Sequence, residues 1–144
     1  MTARWTDEHL PTVLARLAWA LDGEFASALR RARTDLPTFR ALAALRDAPP
    51  PGETVTGLAD LCTMQQPTMT KLLDRMTAAG LLARAPDPRD RRVVRVALTV
   101  GGVLRADELV ALAERHEAEM LGRLPMLAGR ALPDALAVLT GREG

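Results

Sequence analysis

The stretch Gln65-Gln66-Pro67-Thr68-Met69-Thr70-Lys71-Leu72-Leu73-Asp74-Arg75-Met76 decides how the rest of the chain is read. Pro67 suits the first turn of a helix, where the amide hydrogen that proline lacks has no intrahelical acceptor. Met69, Leu72, Leu73 and Met76 recur at helical spacing and form one buried stripe. Thr68, Thr70, Lys71, Asp74 and Arg75 are left on other faces. Ala78-Ala79-Gly80 closes the helix, with Gly80 as its C-cap. Leu81-Leu82-Ala83-Arg84 is a short apolar run. Pro86-Asp87-Pro88-Arg89-Asp90-Arg91-Arg92 is turn-rich and basic, and Val93-Val94-Arg95-Val96-Ala97-Leu98 carries the β-branched residues of a strand. A helix therefore precedes a hairpin with a basic tip.

This is the order of a winged helix-turn-helix. The DNA major groove is wide enough for a helix, and the potential of a narrow minor groove attracts arginine from a neighbouring hairpin. The run Leu58-Ala59-Asp60-Leu61, the helix from Pro67 to Met76, Gly80-Leu81-Leu82-Ala83-Arg84, Asp87-Pro88-Arg89-Asp90-Arg91-Arg92 and Val96-Ala97-Leu98-Thr99-Val100-Gly101-Gly102 together closely resemble the MarR family of bacterial transcriptional regulators. The resemblance covers residues 35–105 by motif, and the whole chain by length and helix order. It implies a single domain over 1–144, mainly α with a small β-hairpin wing. Residues 35–99 would be the winged helix-turn-helix lobe, with dimerisation helices at 1–34 and 100–144. It also implies a homodimer that binds a pseudo-palindromic operator in double-stranded DNA, most often as a repressor. A small aromatic or anionic effector would shift the two lobes and release the DNA.

Bulk properties agree with one globular domain. The chain has 144 residues, of which 48% are hydrophobic, enough for a real core. No stretch approaches the ~18 unbroken apolar residues of a membrane span, and the first residues lack a signal-peptide core, so the expected compartment is the cytoplasm, with no membrane partner. The single cysteine, Cys62, leaves no internal disulfide and no cysteine-based zinc cage. Net charge is only +1, but its distribution is uneven: residues 64–95 carry seven basic groups against three acids. That excess falls on the proposed helix and wing, where DNA phosphates would be neutralised.

The remaining elements follow from pattern. Residues 6–32 read as a long helix with Leu10, Val13, Leu14, Leu17, Leu21, Phe25, Ala28 and Leu29 on one stripe. A stripe this wide on a terminal helix needs a partner; in the MarR-like picture the partner is the other subunit. Leu36-Pro37 opens a second helix, Thr38 to about Asp47, with Phe39, Leu42 and Leu45 inward. Ala48-Pro49-Pro50-Pro51-Gly52 is a stiff loop that no helix crosses. Thr54-Val55-Thr56 is extended, and Thr56 caps a helix over Gly57–Cys62 with Leu58 and Leu61 inward. Thr63-Met64-Gln65 is the turn into the recognition helix. Thr99 is an N-cap for a long helix from Val100 to about Leu124; Pro125 ends it, and Pro133 starts a final short helix.

Candidate site residues fall into three groups. Thr68, Thr70 and Lys71 lie on the early turns of the recognition helix, the end that meets base edges in helix-turn-helix proteins. Gln65 stands where the family more often has a Ser or Thr cap, and Thr63 where it often has Gly. Gln65 and Gln66 are themselves candidate base readers, because glutamine pairs with adenine. Arg75 is a candidate for phosphate or, with Asp74, for structural ion pairs. In the wing, Arg89 and Arg91 add positive charge, and the resemblance implies that Arg92 reaches the minor groove while Asp90 holds it. Fixing a flexible arginine beforehand reduces the entropy lost on docking. Some members of the family bind small aromatic acids between the dimerisation helices and the lobe. Trp19 and Phe39, with Arg16 or Arg40, are the candidates for such a pocket, although core packing accounts for the aromatics equally well.

Other chemistry is not indicated. His9 and His116 are the only histidines, too few for a metal site even with Glu119 beside His116, so no metal and no cofactor is expected. Cys62 takes an apolar helix position and reads as buried and inert. No catalytic constellation or phosphate-cradling glycine loop is present, so the chain reads as a binding protein and not an enzyme. The alternative is a winged-helix protein–protein module that no longer binds DNA; Lys71, Arg89, Arg91 and Arg92 argue against it.

Overall fold

The computed structural model describes residues 9–123 and Val138. In order, the elements are α1 (Leu10–Arg31), α2 (Leu36–Arg46), β1 (Glu53–Thr54), α3 (Val55–Leu61), α4 (Gln66–Ala78), β2 (Leu82–Pro86), β3 (Val94–Leu98) and α5 (Val100–Gly122). Two compact units divide within α5, the first ending at Val110 and the second beginning at Ala111. The first-helix residues before His9, the stop at Pro125 and the helix from Pro133 lie outside the described residues. Among the described residues no helix is long and apolar enough to cross a membrane.

The expected winged helix-turn-helix is present. The α4 stripe is buried as read: Met69, Leu72, Leu73 and Met76 all lie in the core of the first unit, together with Ala41, Leu42 and Leu45 of α2, Leu58 and Ala59 of α3, and Cys62 at the end of α3. Beyond α4, the chain forms a three-stranded antiparallel sheet in the order β1-β3-β2. The wing hairpin registers Leu82 with Leu98 and Pro86 with Val94, and β1 pairs Glu53 with Val96. Val96, on the central strand, is fully buried.

Three details differ from the sequence reading. The second helix starts at Leu36, because Asp35 caps it by accepting the Thr38 amide at 2.9 Å and Pro37 fits its first turn. The third helix starts at Val55 and is capped by Thr54, whose hydroxyl accepts the Gly57 amide at 3.0 Å; Thr56 is not the cap. That earlier start turns Leu58, Ala59 and Cys62 inward and leaves Leu61 49% exposed.

Helix ends use one device three times. After α4, Gly80 takes φ +74, so that its amide reaches the Thr77 carbonyl at 2.9 Å and the Leu81 amide reaches Met76 at 3.0 Å. This Schellman closure satisfies two carbonyls left over at the helix end and favours glycine. The C-cap itself is Ala79, one residue before Gly80. The same closures after α1 and α3 place Arg33 at φ +58 and Thr63 at φ +54, without glycine. Thr99 caps α5 as read: its hydroxyl accepts the Gly102 amide at 3.0 Å and donates to the Gly80 carbonyl at 2.6 Å.

Candidate nucleic-acid interface

The exposed side of α4 carries two lines of polar residues. On the first, Gln66 donates from Nε2 to the Thr56 hydroxyl at 3.2 Å, tying α4 to α3, and the Thr70 hydroxyl donates to the Gln66 carbonyl at 3.0 Å. Gln65 is the N-cap residue in extended backbone, and its side chain makes no capping bond. That amide group is therefore not committed to the helix end. On the second line, Thr68, Lys71 and Arg75 follow at i, i+3 and i+7 and share one face. With Asp35, Met64 and Leu72 they border a shallow cavity of about 290 Å³.

Arg75 and Asp74 both form ion pairs. Arg75 reaches Asp35 at 3.3 Å, and Asp74 meets Arg84 of β2 at 2.7 Å. The first pair leans α4 on the start of α2, and the second leans it on the wing. Burial opposes ionisation of Asp35. The hydrogen bonds from Thr38 and the Arg75 charge outweigh it and hold the carboxyl below its ordinary value.

The wing turns on a residue that the sequence reading passed over. Asp87 is buried and accepts the Arg89 and Asp90 amides on Oδ1, at 2.7 and 3.2 Å, and Arg95 Nε on Oδ2, at 2.5 Å. Arg95 also donates to the Gly52 carbonyl at 3.2 Å, which joins the wing base to the Pro-rich loop. The Arg89 amide and then the Arg95 guanidinium hold the Asp87 carboxyl below its ordinary value. The available signal was local: an aspartate two residues before a free amide, followed by proline, starts an Asx turn.

Beyond that base, Asp90 forks Arg92. Oδ1 takes Nε at 3.1 Å and the Arg92 amide at 3.0 Å, and Oδ2 takes a terminal nitrogen at 3.2 Å. The Arg92 side chain is nonetheless 90% exposed, so the pair orients it without covering it. The guanidinium and then the amide of Arg92 lower the Asp90 carboxyl's pKa. Arg89 and Arg91 are exposed beside it. The lobe thus brings together the polar face of α4 and a basic wing tip, with ion pairs at its sides.

Of the four residues proposed for an effector pocket, Arg16 and Trp19 lie on α1, and Phe39 and Arg40 on α2. Phe39 packs edge-on against Phe25, with ring centroids 4.9 Å apart, and Arg40 pairs with Asp22 at 2.8 Å. Trp19 is 81% exposed on α1, and Arg16 lies exposed on the same helix. Cys62 is buried, and burial raises its thiol pKa against the weaker opposing charge of Arg40. Among the described residues no three His, Cys, Asp or Glu side chains group as a metal site requires.

This geometry has close counterparts. A family model described as MarR family matches residues 34–93. The MarR family transcriptional regulator SPO1453 of Silicibacter pomeroyi DSS-3 is 31% identical, over 96% of this chain and 98% of that one, with a TM-score of 0.80. The chain belongs to the MarR family. Another similar structure is that of BpsR of Bordetella bronchiseptica, whose DNA binding is regulated by 6-hydroxynicotinic acid. It is 25% identical over 99% of this chain and 96% of that one, with a TM-score of 0.76. MepR of S. aureus, solved in complex with DNA, shares the fold at 18% identity and a TM-score of 0.73, over 90% of this chain and 92% of that one. No curated protein matches the chain. As a MarR family member, the protein is a winged-helix transcriptional regulator.

Proposed function

We propose that the protein acts as a homodimeric, ligand-responsive repressor on a pseudo-palindromic operator. The observation that carries this reading is the pairing, on one lobe, of the exposed polar face of α4 with a basic wing tip whose Arg92 is oriented but uncovered. Thr68, Thr70, Lys71, Gln65 and Gln66 would face bases or nearby phosphates, and Arg89, Arg91 and Arg92 the adjacent minor groove and backbone. Arg75, leaning on Asp35, would contribute charge to phosphate and not base reading. The effector-regulated DNA binding of BpsR supports a ligand-responsive DNA-binding protein.

Residues 35–99 would read DNA, and 1–34 with 100–144 would hold two protomers together. The α1 side chains Leu10, Val13, Leu17 and Trp19 are exposed in the single protomer, as an obligate dimer interface requires of the separated chain. The cytoplasm, where DNA is, is the compartment this reading requires.

The test is a gel-shift titration of the protein against DNA upstream of its own gene, repeated over a range of salt. The logarithm of affinity should fall with log salt with a slope of roughly −4 to −9 per dimer, as counterions leave the phosphates. A shallow slope, or no shift, would replace this reading by the winged-helix protein–protein module.

A further inference from the structure

We propose that Gln66 reads adenine in the DNA major groove, and that Thr56, on the neighbouring helix α3, holds it in the orientation this base requires. The inference rests on the DNA-binding reading above and deepens it. It separates Gln66 from Gln65, names the base, and adds a positioning residue from outside the recognition helix.

Thr56 is the first observation. The helix that contains it is capped by Thr54, so the Thr56 hydroxyl has no part in closing the α3 end. It accepts Gln66 Nε2 at 3.2 Å instead, from one helix to the next. Both side chains are exposed. A hydrogen bond between two exposed groups adds little to stability, because water competes for both. Its effect is to select one rotamer of a long, flexible side chain before DNA arrives, so that less entropy is lost on docking.

The donor and acceptor count is the second observation. A glutamine amide has two N–H donors and one carbonyl oxygen. One donor goes to Thr56, which leaves one N–H and Oε1. The Thr70 hydroxyl, one turn along the same face, donates to the Gln66 main-chain carbonyl at 3.0 Å and is not spent on Oε1. Oε1 accepts no bond among the described residues. One donor beside one acceptor is the complement of adenine, which shows N7 as acceptor and its N6 amino group as donor. Guanine shows two acceptors there and would set O6 against Oε1. Cytosine and thymine each show a single polar group and would leave half of the pair unmet.

Gln65 lacks both features. It is the N-cap residue, in extended backbone, and its side chain has no partner among the described residues. Nothing selects one of its rotamers, so docking it would carry the full entropic cost. Gln66 opens α4, at the end of the helix that meets base edges in helix-turn-helix proteins.

The experiment is selection of duplexes by the full chain from a pool with randomised positions, followed by affinity titration of every single-base variant of the selected sequence. Wild type should favour adenine at one position of each half-site by about tenfold or more, as a good bidentate pair does. Gln66→Ala should abolish that preference and leave the other positions ranked as before. Thr56→Val, which keeps the shape and removes the hydroxyl, should reduce the same preference by about threefold or more, whereas Thr56→Ser, which restores the hydroxyl, should stay within about twofold of wild type. In a Gln66→Ala background Thr56→Val should have no further effect at that position. Gln65→Ala should leave the adenine preference in place. Replacing the adenine by 7-deazaadenine, which lacks the N7 acceptor, should weaken wild type and not Gln66→Ala. Melting temperatures of the variants serve as the folding control. Guanine at the Gln66-dependent position, loss of the adenine preference in Gln65→Ala, or a folded Thr56→Val protein that ranks duplexes like wild type would overturn the proposal. A protein that selects no sequence loses the DNA-binding reading, and this inference with it. A protein that selects an operator without a Gln66-dependent adenine loses the inference alone.

Discussion

The Asp87 carboxylate accepts Arg95 Nε at 2.5 Å while its other oxygen holds the Arg89 and Asp90 amides, and Asp87 is only 6% exposed. The wing is thus organised at its base by a buried charge, and the exposed Asp90–Arg92 fork is built on top of it. The Asp87 carboxyl titrates below its ordinary value, so its contribution to stability is complete above the unfolded carboxylate pKa of about 3.9. That contribution is lost as pH falls from there through the lower folded value. NMR of the Arg89 and Asp90 amides between about pH 6 and 2 should show both shifting together, with a midpoint below 3.9. A midpoint at or above that value would mean that the carboxylate does not hold the turn. Asp87→Asn should leave the fold intact and lose the titration.

Gly102 offers a sharper structural test. A Cβ there would lie 2.0 Å from the Leu81 carbonyl oxygen, and backbone cannot swing aside as a flexible side chain does. Gly102→Ala should destabilise the protein by about 2–3 kcal/mol in urea unfolding, as overpacking of a tight contact does. Gly122→Ala, with open space around the added methyl, should not. Equal effects would show that the close approach of α5 to Leu81 is not maintained in solution.

Thr63 should respond in the opposite direction. At φ +54 a β-branched residue bears a cost of roughly 1–2 kcal/mol, whereas glycine fits but gains chain entropy when unfolded. Thr63→Gly should therefore raise the unfolding free energy by roughly 0.5–1 kcal/mol. A loss of stability would mean that the threonine side chain contributes more than its backbone strain costs.

The dimer is tested on α1. Leu17 is 46% exposed in the protomer and lies on the stripe proposed to meet the second subunit. Leu17→Glu should place an unpaired charge in that interface and yield monomers at micromolar concentration by light scattering, with helical circular dichroism retained. A dimer that persists unchanged would move the interface away from this stripe.

The two kinds of proposed DNA contact are separable. Arg92→Ala should weaken binding to most operator variants by a similar factor, because an arginine in a narrow minor groove reads width and potential more than base identity. Lys71→Ala or Thr68→Ala should instead change the ranking of variants, by about 1–3 kcal/mol at the affected base pair. Asp90→Ala should resemble a milder Arg92→Ala, since it frees the arginine and keeps its charge. If Arg92→Ala binds every variant like wild type, the wing does not contact DNA.

Much of this architecture was legible because it is written in local periodicity. Pro67 and the stripe Met69, Leu72, Leu73 and Met76 fixed the recognition helix, and all four side chains are buried. The choice between Thr54 and Thr56 as cap was not local. Glu53 and Thr54 are claimed by pairing with β3, so the helix begins at once and takes the nearer threonine. The Asx turn at Asp87 was legible locally, but its ion pair was not, because Arg95 is eight residues away, across the hairpin. Arg33 was hidden because helix closure without glycine leaves no mark in composition, whereas at Thr63 the resemblance, with Gly common there, carried the signal.

The hydroxyl of Thr99 touches the end of α4 through Gly80 and the start of α5 through Gly102, while the Thr99 amide bonds the Leu81 carbonyl at 3.0 Å at the root of the wing. No slack loop separates these three elements, so the start of α5 acts as a handle: a twist applied there is passed to the helix and the wing together. In the proposed two-fold assembly the axis would make the two handles turn equally. Under the proposed function, the separation of the two lobes would then follow the rotation of the handles, and the helical pitch of the operator would be the quantity that separation has to match.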